Sequence, residues 1–115
     1  MSEQDTIFSK IIRREVPADI VYEDETTLAF KDINPQAPIH ILVIPKRPIP
    51  KLADAVPEDQ ILMANLLFTA KRVAEKQGIQ DGYRVVINNG PDAGQTVFHL
   101  HLHVLGGRQM KWPPG

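Results

Sequence analysis

Between positions 98 and 104 the chain reads Phe98-His-Leu-His-Leu-His-Val104. In an extended strand successive side chains point to opposite faces, so this spacing predicts His99, His101 and His103 on one face and Leu100, Leu102 and Val104 on the other. The leucine face can pack into a core, but the histidine face needs a chemical reason. A single histidine on a strand is ordinarily a structural residue held by one hydrogen bond; three in register are not accounted for that way. Imidazolium cations on adjacent same-face positions would repel, and with an unperturbed pKa of about 6.5 at least some of the rings are expected to be neutral near pH 7. A neutral imidazole carries a free lone pair and can act as nucleophile, general base or metal ligand.

The flanking residues bear on which of these applies. Three histidines can hold a catalytic zinc, with zinc to nitrogen bonds of about 2 Å. Same-face positions two residues apart are separated by about 7 Å along a strand, so the three rings cannot meet at one ion without strong bending. Just upstream, Gly90-Pro-Asp-Ala-Gly94-Gln95-Thr96 carries glycines that let backbone amides turn inward as a nest for anionic oxygen. Glycine loops are also common turns, and this one gains weight by abutting the histidines. The expectation is a phosphate site with no metal and no cofactor. Asp32, ahead of Asn34-Pro35, reads either as a turn-initiating residue or as a carboxylate able to accept from two hydroxyls.

The elements that must position these groups are short. With 115 residues and a 43% apolar fraction, everything is expected on one core in one domain spanning 1–115. Thirteen basic against fourteen acidic residues give a formal charge of -1, so there is no global basic field for nucleic acid or an anionic membrane. Nor is there a basic, aromatic-interleaved stretch of the kind that binds nucleic acid. The absence of cysteine excludes a disulfide scaffold and thiolate metal sites and fits a reducing cytosol. Met1-Ser-Glu-Gln-Asp-Thr-Ile-Phe8 lacks the basic-then-apolar pattern of a secretory signal, and no apolar run is long enough to span a bilayer, so the expected location is cytoplasmic.

Asp5 or Thr6 can cap a short helix bearing Ile7, Phe8, Ile11 and Ile12 that ends before Pro17. Strands are expected at 20–23 and 26–33, joined by a turn around Asp24 and Glu25, and at 39–44, where His40 sits and Pro45 ends the run. Pro57 suits the first turn of a long helix on which Leu62, Met63, Leu66, Leu67, Ala70, Val73 and Ala74 recur at three- and four-residue spacing as far as Gly78. Strands at 83–88 and 96–105 close the chain. The sum is an α+β fold, an antiparallel β-meander with one long and one short helix.

The segment Gly94-Gln-Thr-Val-Phe-His-Leu-His-Leu-His-Val-Leu-Gly-Gly-Arg-Gln-Met-Lys-Trp-Pro-Pro-Gly115 strongly resembles the histidine triad family, specifically its histidine triad nucleotide-binding (Hint) branch. Asp5-Thr-Ile-Phe8, Asp32-Ile-Asn-Pro-Gln-Ala-Pro38, His40-Ile-Leu-Val-Ile-Pro45 and Gly82-Tyr83 resemble the same branch in the same order, so the likeness covers nearly the whole chain. Thr96 stands where serine is more familiar, and Asn34, Asn89 and Lys111 depart at or beside the site.

The resemblance implies a purine nucleoside phosphoramidase that also takes acyl-adenylates. His101 would attack the α-phosphorus, and water would release AMP or GMP from a nucleotidyl-histidine. His103 would contact the phosphate, with Gly94, Gln95 and Thr96 supplying donors and Asn88 and Thr96 holding the phosphate and leaving-group side. His99 would be mainly structural, paired with His40. Ile7, Phe8, Ile11, Phe30 and Ile33 would sandwich the purine, and Asp32 would take the ribose hydroxyls. The resemblance also implies a two-fold homodimer with a continuous sheet, in which the tail at 106–115 reaches the partner's site and Trp112 shapes leaving-group specificity. Two other functions fit parts of this pattern: a purine-nucleotide-binding regulatory protein with little turnover, and a dinucleoside polyphosphate hydrolase. The Gly106-Gly107 pair and the Trp112-Pro113-Pro114 ending favour the Hint branch over the latter.

Overall fold

The computed structural model describes residues 5–115; the first four residues of the N-terminal stretch read above lie outside it. Helix α1, Ile7–Ile12, begins where the Thr6 side chain accepts the Ser9 amide at 3.2 Å, so Thr6 rather than Asp5 is the cap. Strands β1, Ile20–Glu23, and β2, Thr27–Lys31, form the expected hairpin. The second is shorter than 26–33 for a local reason at each end. The carboxylate of Asp24 accepts the amides of Thr26 and Thr27, and that of Asp32 accepts the amide of Asn34 at 2.8 Å, so both ends are claimed by side-chain turns. Strand β3, Ile39–Pro45, is the central hydrophobic run.

Pro57 opens a single 3₁₀ turn, Pro57–Asp59, which leads into the long helix α2, Gln60–Lys76. Asp59 folds back to accept the Val56 amide at 2.9 Å and pairs with Arg47. Leu66, Ala70, Val73 and Ala74 are buried as the periodicity predicts, whereas Leu67 faces outward. Strand β4, Tyr83–Val86, and strand β5, Leu102–Gly106, complete a five-stranded sheet of order β1-β2-β3-β5-β4 with every neighbouring pair antiparallel. The meander runs directly through β1, β2 and β3; α2 then carries the chain to β4, two strand positions beyond β3, and β5 returns into the gap.

The two faces of the sheet have different tasks. Ala29, Ile41, Val43, Leu100, Leu102 and Val104 pack under α2, and Leu28, Phe30, Leu42 and Ile44 pack under Phe8 and Ile11 of α1. The strand expected at 96–105 is paired only from Leu102. The Leu100 amide bonds to the Ile49 carbonyl at 2.7 Å instead of to a strand, and β4 ends at Val86. His99 therefore lies in a bend and His101 on unpaired backbone, and only His103 is within β5. The alternation survives this departure: the leucine side still enters the core beneath α2. No helix among the described residues is long and apolar enough to cross a membrane.

Leu66 is 1% exposed in the larger cluster, so Leu66→Ala is expected to lower unfolding stability by about 2–5 kcal/mol through lost transfer energy and an unfilled cavity. Urea unfolding of the full chain measures this, and a loss below about 1 kcal/mol would mean that α2 packs through another face.

Candidate active site

The α1 face of the sheet opens into a cavity of about 610 Å³. One end is apolar, walled by Ile7, Phe8 and Ile11 of α1, Val16, Pro17 and Ala18 of the following loop, and Phe30, Ile33 and Leu42. The other end is polar, with Asp32, His40, His101 and His103 converging near Gly94 and Thr96. The apolar wall exists because α1 buries Phe8 edge-on against Phe30, with centroids 5.5 Å apart. The polar end exists because β3 and the 99–103 segment bring their histidines onto that same face.

Each ring is held by a specific partner. His99, 1% exposed, bonds through Nε2 to the Pro45 carbonyl at 2.7 Å, and its Nδ1 has no hydrogen-bond partner among the described residues. The backbone carbonyl of His99 lies 2.7 Å from His101 Nδ1. A carbonyl can only accept, so Nδ1 of His101 carries the proton and Nε2 the lone pair. Phe8 stands edge-on to the His101 ring at 5.1 Å, and the His103 ring is 4.9 Å away.

Burial is the leading cause of a lowered pKa in all four histidines. In His103 the neighbouring His101 and His40 add to it, pushing the ring down to about 4. Asp32 opposes the shift in His40, His101 and His103 without reversing it. At neutral pH the cluster is therefore uncharged and keeps its lone pairs.

His40 is bonded to His103, not to His99: Nε2 of His40 lies 2.9 Å from Nδ1 of His103. The reason is the strand register. His40 pairs across the ladder with Leu105, and His103 sits diagonally from it on the same face, while His99 lies beyond the end of β5 and turns to Pro45. Asp32 has the turn-initiating role read from the sequence. One oxygen accepts the Asn34 amide, and the other lies on the cavity side, 3.4 Å from His40 Nε2. One atom each from Asp32, His40 and His103 fall within 4.8 Å of one another, so these residues, not the three alternating histidines, are close enough to share a cation.

Of the residues singled out from sequence, Ile7, Phe8, Ile11, Phe30, Asp32, Ile33, His40, Gly94, Thr96, His101 and His103 all line this cavity. Gln95 does not; its buried side chain accepts the Gly90 amide and donates to the carbonyls of Pro50 and Val97. Nor do the amides of the 90–95 loop form an open nest, because those of Ala93 and Gln95 bond to the Gly90 carbonyl and that of Gly94 to the Pro91 carbonyl. Gly94, with φ of +89°, instead turns the chain so that Thr96 reaches the cavity. Asn88 is not part of the cavity lining; its side-chain amide donates to the Ala93 carbonyl at 2.7 Å and so holds the same loop. Trp112 is 82% exposed and touches no part of this chain's cavity. The sequence reading missed Val16, Pro17 and Ala18, which carry no chemical signature, and Gln36, whose contribution is a backbone amide bonded to His40 Nδ1 at 3.0 Å.

The family model for the HIT domain matches residues 13–110. An uncharacterised HIT-like protein of Synechocystis is 66% identical over 112 residues, 97% of this chain and 98% of its own length. The crystal structure of a HIT family hydrolase from Legionella pneumophila superposes with a TM-score of 0.94 at 50% identity, over 96% of this chain and 100% of that one. A histidine triad nucleotide-binding protein from Candida albicans gives 0.81 at 33% identity, over 95% and 83%. A match that runs through β5 and the cavity-lining histidines, carried by relatives that span nearly the entire length, settles the kinship: the chain belongs to the HIT domain family.

Proposed function

We propose that the protein hydrolyses purine nucleoside phosphoramidates, and acyl-adenylates by the same route, through a nucleotidyl-histidine at His101, releasing AMP or GMP. The observation that carries this reading is the 2.7 Å bond from His101 Nδ1 to the His99 carbonyl, which leaves Nε2 as a lone pair on a ring lining the cavity. In the first step Nε2 attacks the α-phosphorus, a P–N(His) bond forms, and the bond to the amine breaks as the amine takes up a proton. In the second, water attacks phosphorus and the histidine is regenerated. Splitting one displacement into two is the advantage of covalent catalysis.

His103 contacts the charged phosphoryl oxygens, Thr96 offers its hydroxyl, and the free oxygen of Asp32 accepts from the ribose. The apolar end takes the purine between the α1 residues and the Phe30 side. Support also comes from kinship with a HIT family hydrolase and a histidine triad nucleotide-binding protein. Gln95 and Asn88 act through the loop they brace and not by touching phosphate.

The same reading includes a cytoplasmic two-fold homodimer with a continuous sheet, its tail at 106–115 completing the partner's site through Trp112. Two features support it: β4 is an unpaired sheet edge, and Ile61, Leu67 and Phe68 are exposed on α2. A solution mass by light scattering equal to two chains is expected at micromolar concentration, and a single-chain mass counts against this part.

With a fluorogenic adenosine phosphoramidate, His101→Ala is expected to reduce kcat by at least about 10³-fold, and EDTA to leave the wild type unchanged. If the wild type binds AMP yet gives no turnover, the regulatory binder is the better account, and EDTA-sensitive turnover would point to a metal at Asp32, His40 and His103.

The pH profile provides a separate check. Because burial lowers the His101 pKa, the lone pair survives below the ordinary imidazole range. The acid limb of kcat/KM is therefore expected clearly under pH 6.5, the rate falling only as pH drops toward the lowered pKa. An acid limb at or above pH 6.5 is incompatible with a desolvated nucleophile.

A further inference from the structure

We infer that Arg108 is a positioning residue: acting through the main chain of Gln36 and through His40, it fixes His103 in the tautomer that presents an N–H to the cavity. The inference rests on the hydrolase reading for its catalytic consequence but not for its structural content.

Its starting point is a group whose polarity cannot change. The backbone amide of Gln36 can only donate, and it points at His40 Nδ1 from 3.0 Å. That nitrogen must therefore be the lone-pair side of a neutral ring, and the single proton sits on Nε2. From there the assignment passes on. His40 Nε2 lies 2.9 Å from His103 Nδ1, with Asp32 Oδ2 at 3.4 Å, so His103 Nδ1 is the acceptor. The proton of His103 is then on Nε2, and the ring lines the cavity as a donor.

His101 has the opposite assignment, because its Nδ1 faces a carbonyl. Two rings 4.9 Å apart thus stand in opposite tautomers, one offering a lone pair and the other an N–H. Both are set by main-chain groups that do not titrate. An attacking nitrogen beside a donor for the developing oxyanion is what phosphoryl displacement requires.

What holds the Gln36 main chain is the start of the tail, which grips the carbonyl of the peptide that follows the donating amide. The Arg108 guanidinium donates to the Gln36 carbonyl at 3.0 Å and to the Gln109 carbonyl at 3.2 Å. Gly107, with φ of +92°, lets the tail lie directly on the 34–38 loop; a Cβ there would fall 2.9 Å from Pro38 Cβ. The Gln36 side chain reaches the Asn34 carbonyl at 3.0 Å, which ties the loop across itself. Neither Arg108 nor Gln36 carries any chemistry on the substrate; both act by keeping one amide aimed at one nitrogen.

The test is long-range ¹H–¹⁵N correlation of the histidine rings in the full chain at pH 7.5, alongside steady-state kinetics on the fluorogenic phosphoramidate. In the wild type, His40 and His103 are expected as Nε2–H tautomers and His101 as Nδ1–H. Arg108→Met is expected to move His40 and His103 towards mixed tautomers while leaving His101, the internal control for folding, unchanged. It should also lower kcat by about tenfold, within the range for a misplaced catalytic group, with KM altered less than about twofold. Arg108→Lys keeps a donor for the Gln36 carbonyl and is expected to recover most of both.

An Nδ1–H tautomer at His40 or His103 in the wild type overturns the proposal, as does an Arg108→Met variant with wild-type ring signals. If the ring signals behave as expected but no nucleotide is turned over, the positioning role stands and the hydrolase reading falls.

Discussion

The hydrogen bond from His101 to the carbonyl of His99 is the contact on which the cavity's chemistry depends, and much of the local structure exists to aim that carbonyl. An imidazole left to itself exchanges its proton between two nitrogens; only a fixed acceptor at Nδ1 reserves Nε2 as a lone pair. The acceptor here is a peptide of the chain's own preceding turn, so it must be rigid. Two anchors hold it. The His99 ring donates to Pro45 at the end of β3, and the Leu100 amide donates to Ile49. One bond goes to the last residue of β3 and the other to the segment just after it, neither as part of a strand ladder, and the ladder begins only at Leu102. The segment gives up strand hydrogen bonds for a backbone oriented to serve a side chain.

Keeping that arrangement neutral is the task of the apolar surround. Phe8 is edge-on to both His99 and His101, and Phe30, Leu42 and Ile11 lie around it. Desolvation outweighs the nearby Asp32 carboxylate at each cavity histidine. The four rings therefore present donors and lone pairs in place of positive charge, which suits the unprotonated nucleophile proposed at His101.

The alternation of histidine and leucine, the stripe on α2 and the hairpin around Asp24 were legible in the sequence because each is a periodic or local signal, and the two faces of the sheet followed from them. The His40 partner was not legible. Its choice of His103 over His99 depends on which residue of β5 faces His40 across the ladder, here Leu105, and a register shift of two residues leaves every inward-facing pattern unchanged. Gln95 and Asn88 were misassigned for a different reason. A polar side chain beside a glycine loop can brace the loop or face its ligand, and composition is silent on the difference; here both brace it. Gln36 left no trace at all, since its contribution is a main-chain amide that any residue but proline would supply.

The division between the two faces has a mechanical consequence. The face under α2 is closed by seventeen helical residues packed on the middle of the sheet, whereas the cavity face is closed by six, those of α1. A helix of that length has no stability of its own, because nucleation costs more than so few hydrogen bonds return. α1 persists through the Thr6 cap, the burial of Phe8 and Ile11, and the ion pairs of Arg13 with Asp5 and Glu15. Those ion pairs are exposed and contribute little. The apolar wall is thus fastened mainly by Phe8 and Ile11, two of the side chains that form it. The two sides of the cavity are thus fixed differently: His40, His99 and His101 are held by main-chain groups and His103 by His40, whereas the apolar wall is held by side chains on a short helix outside the sheet.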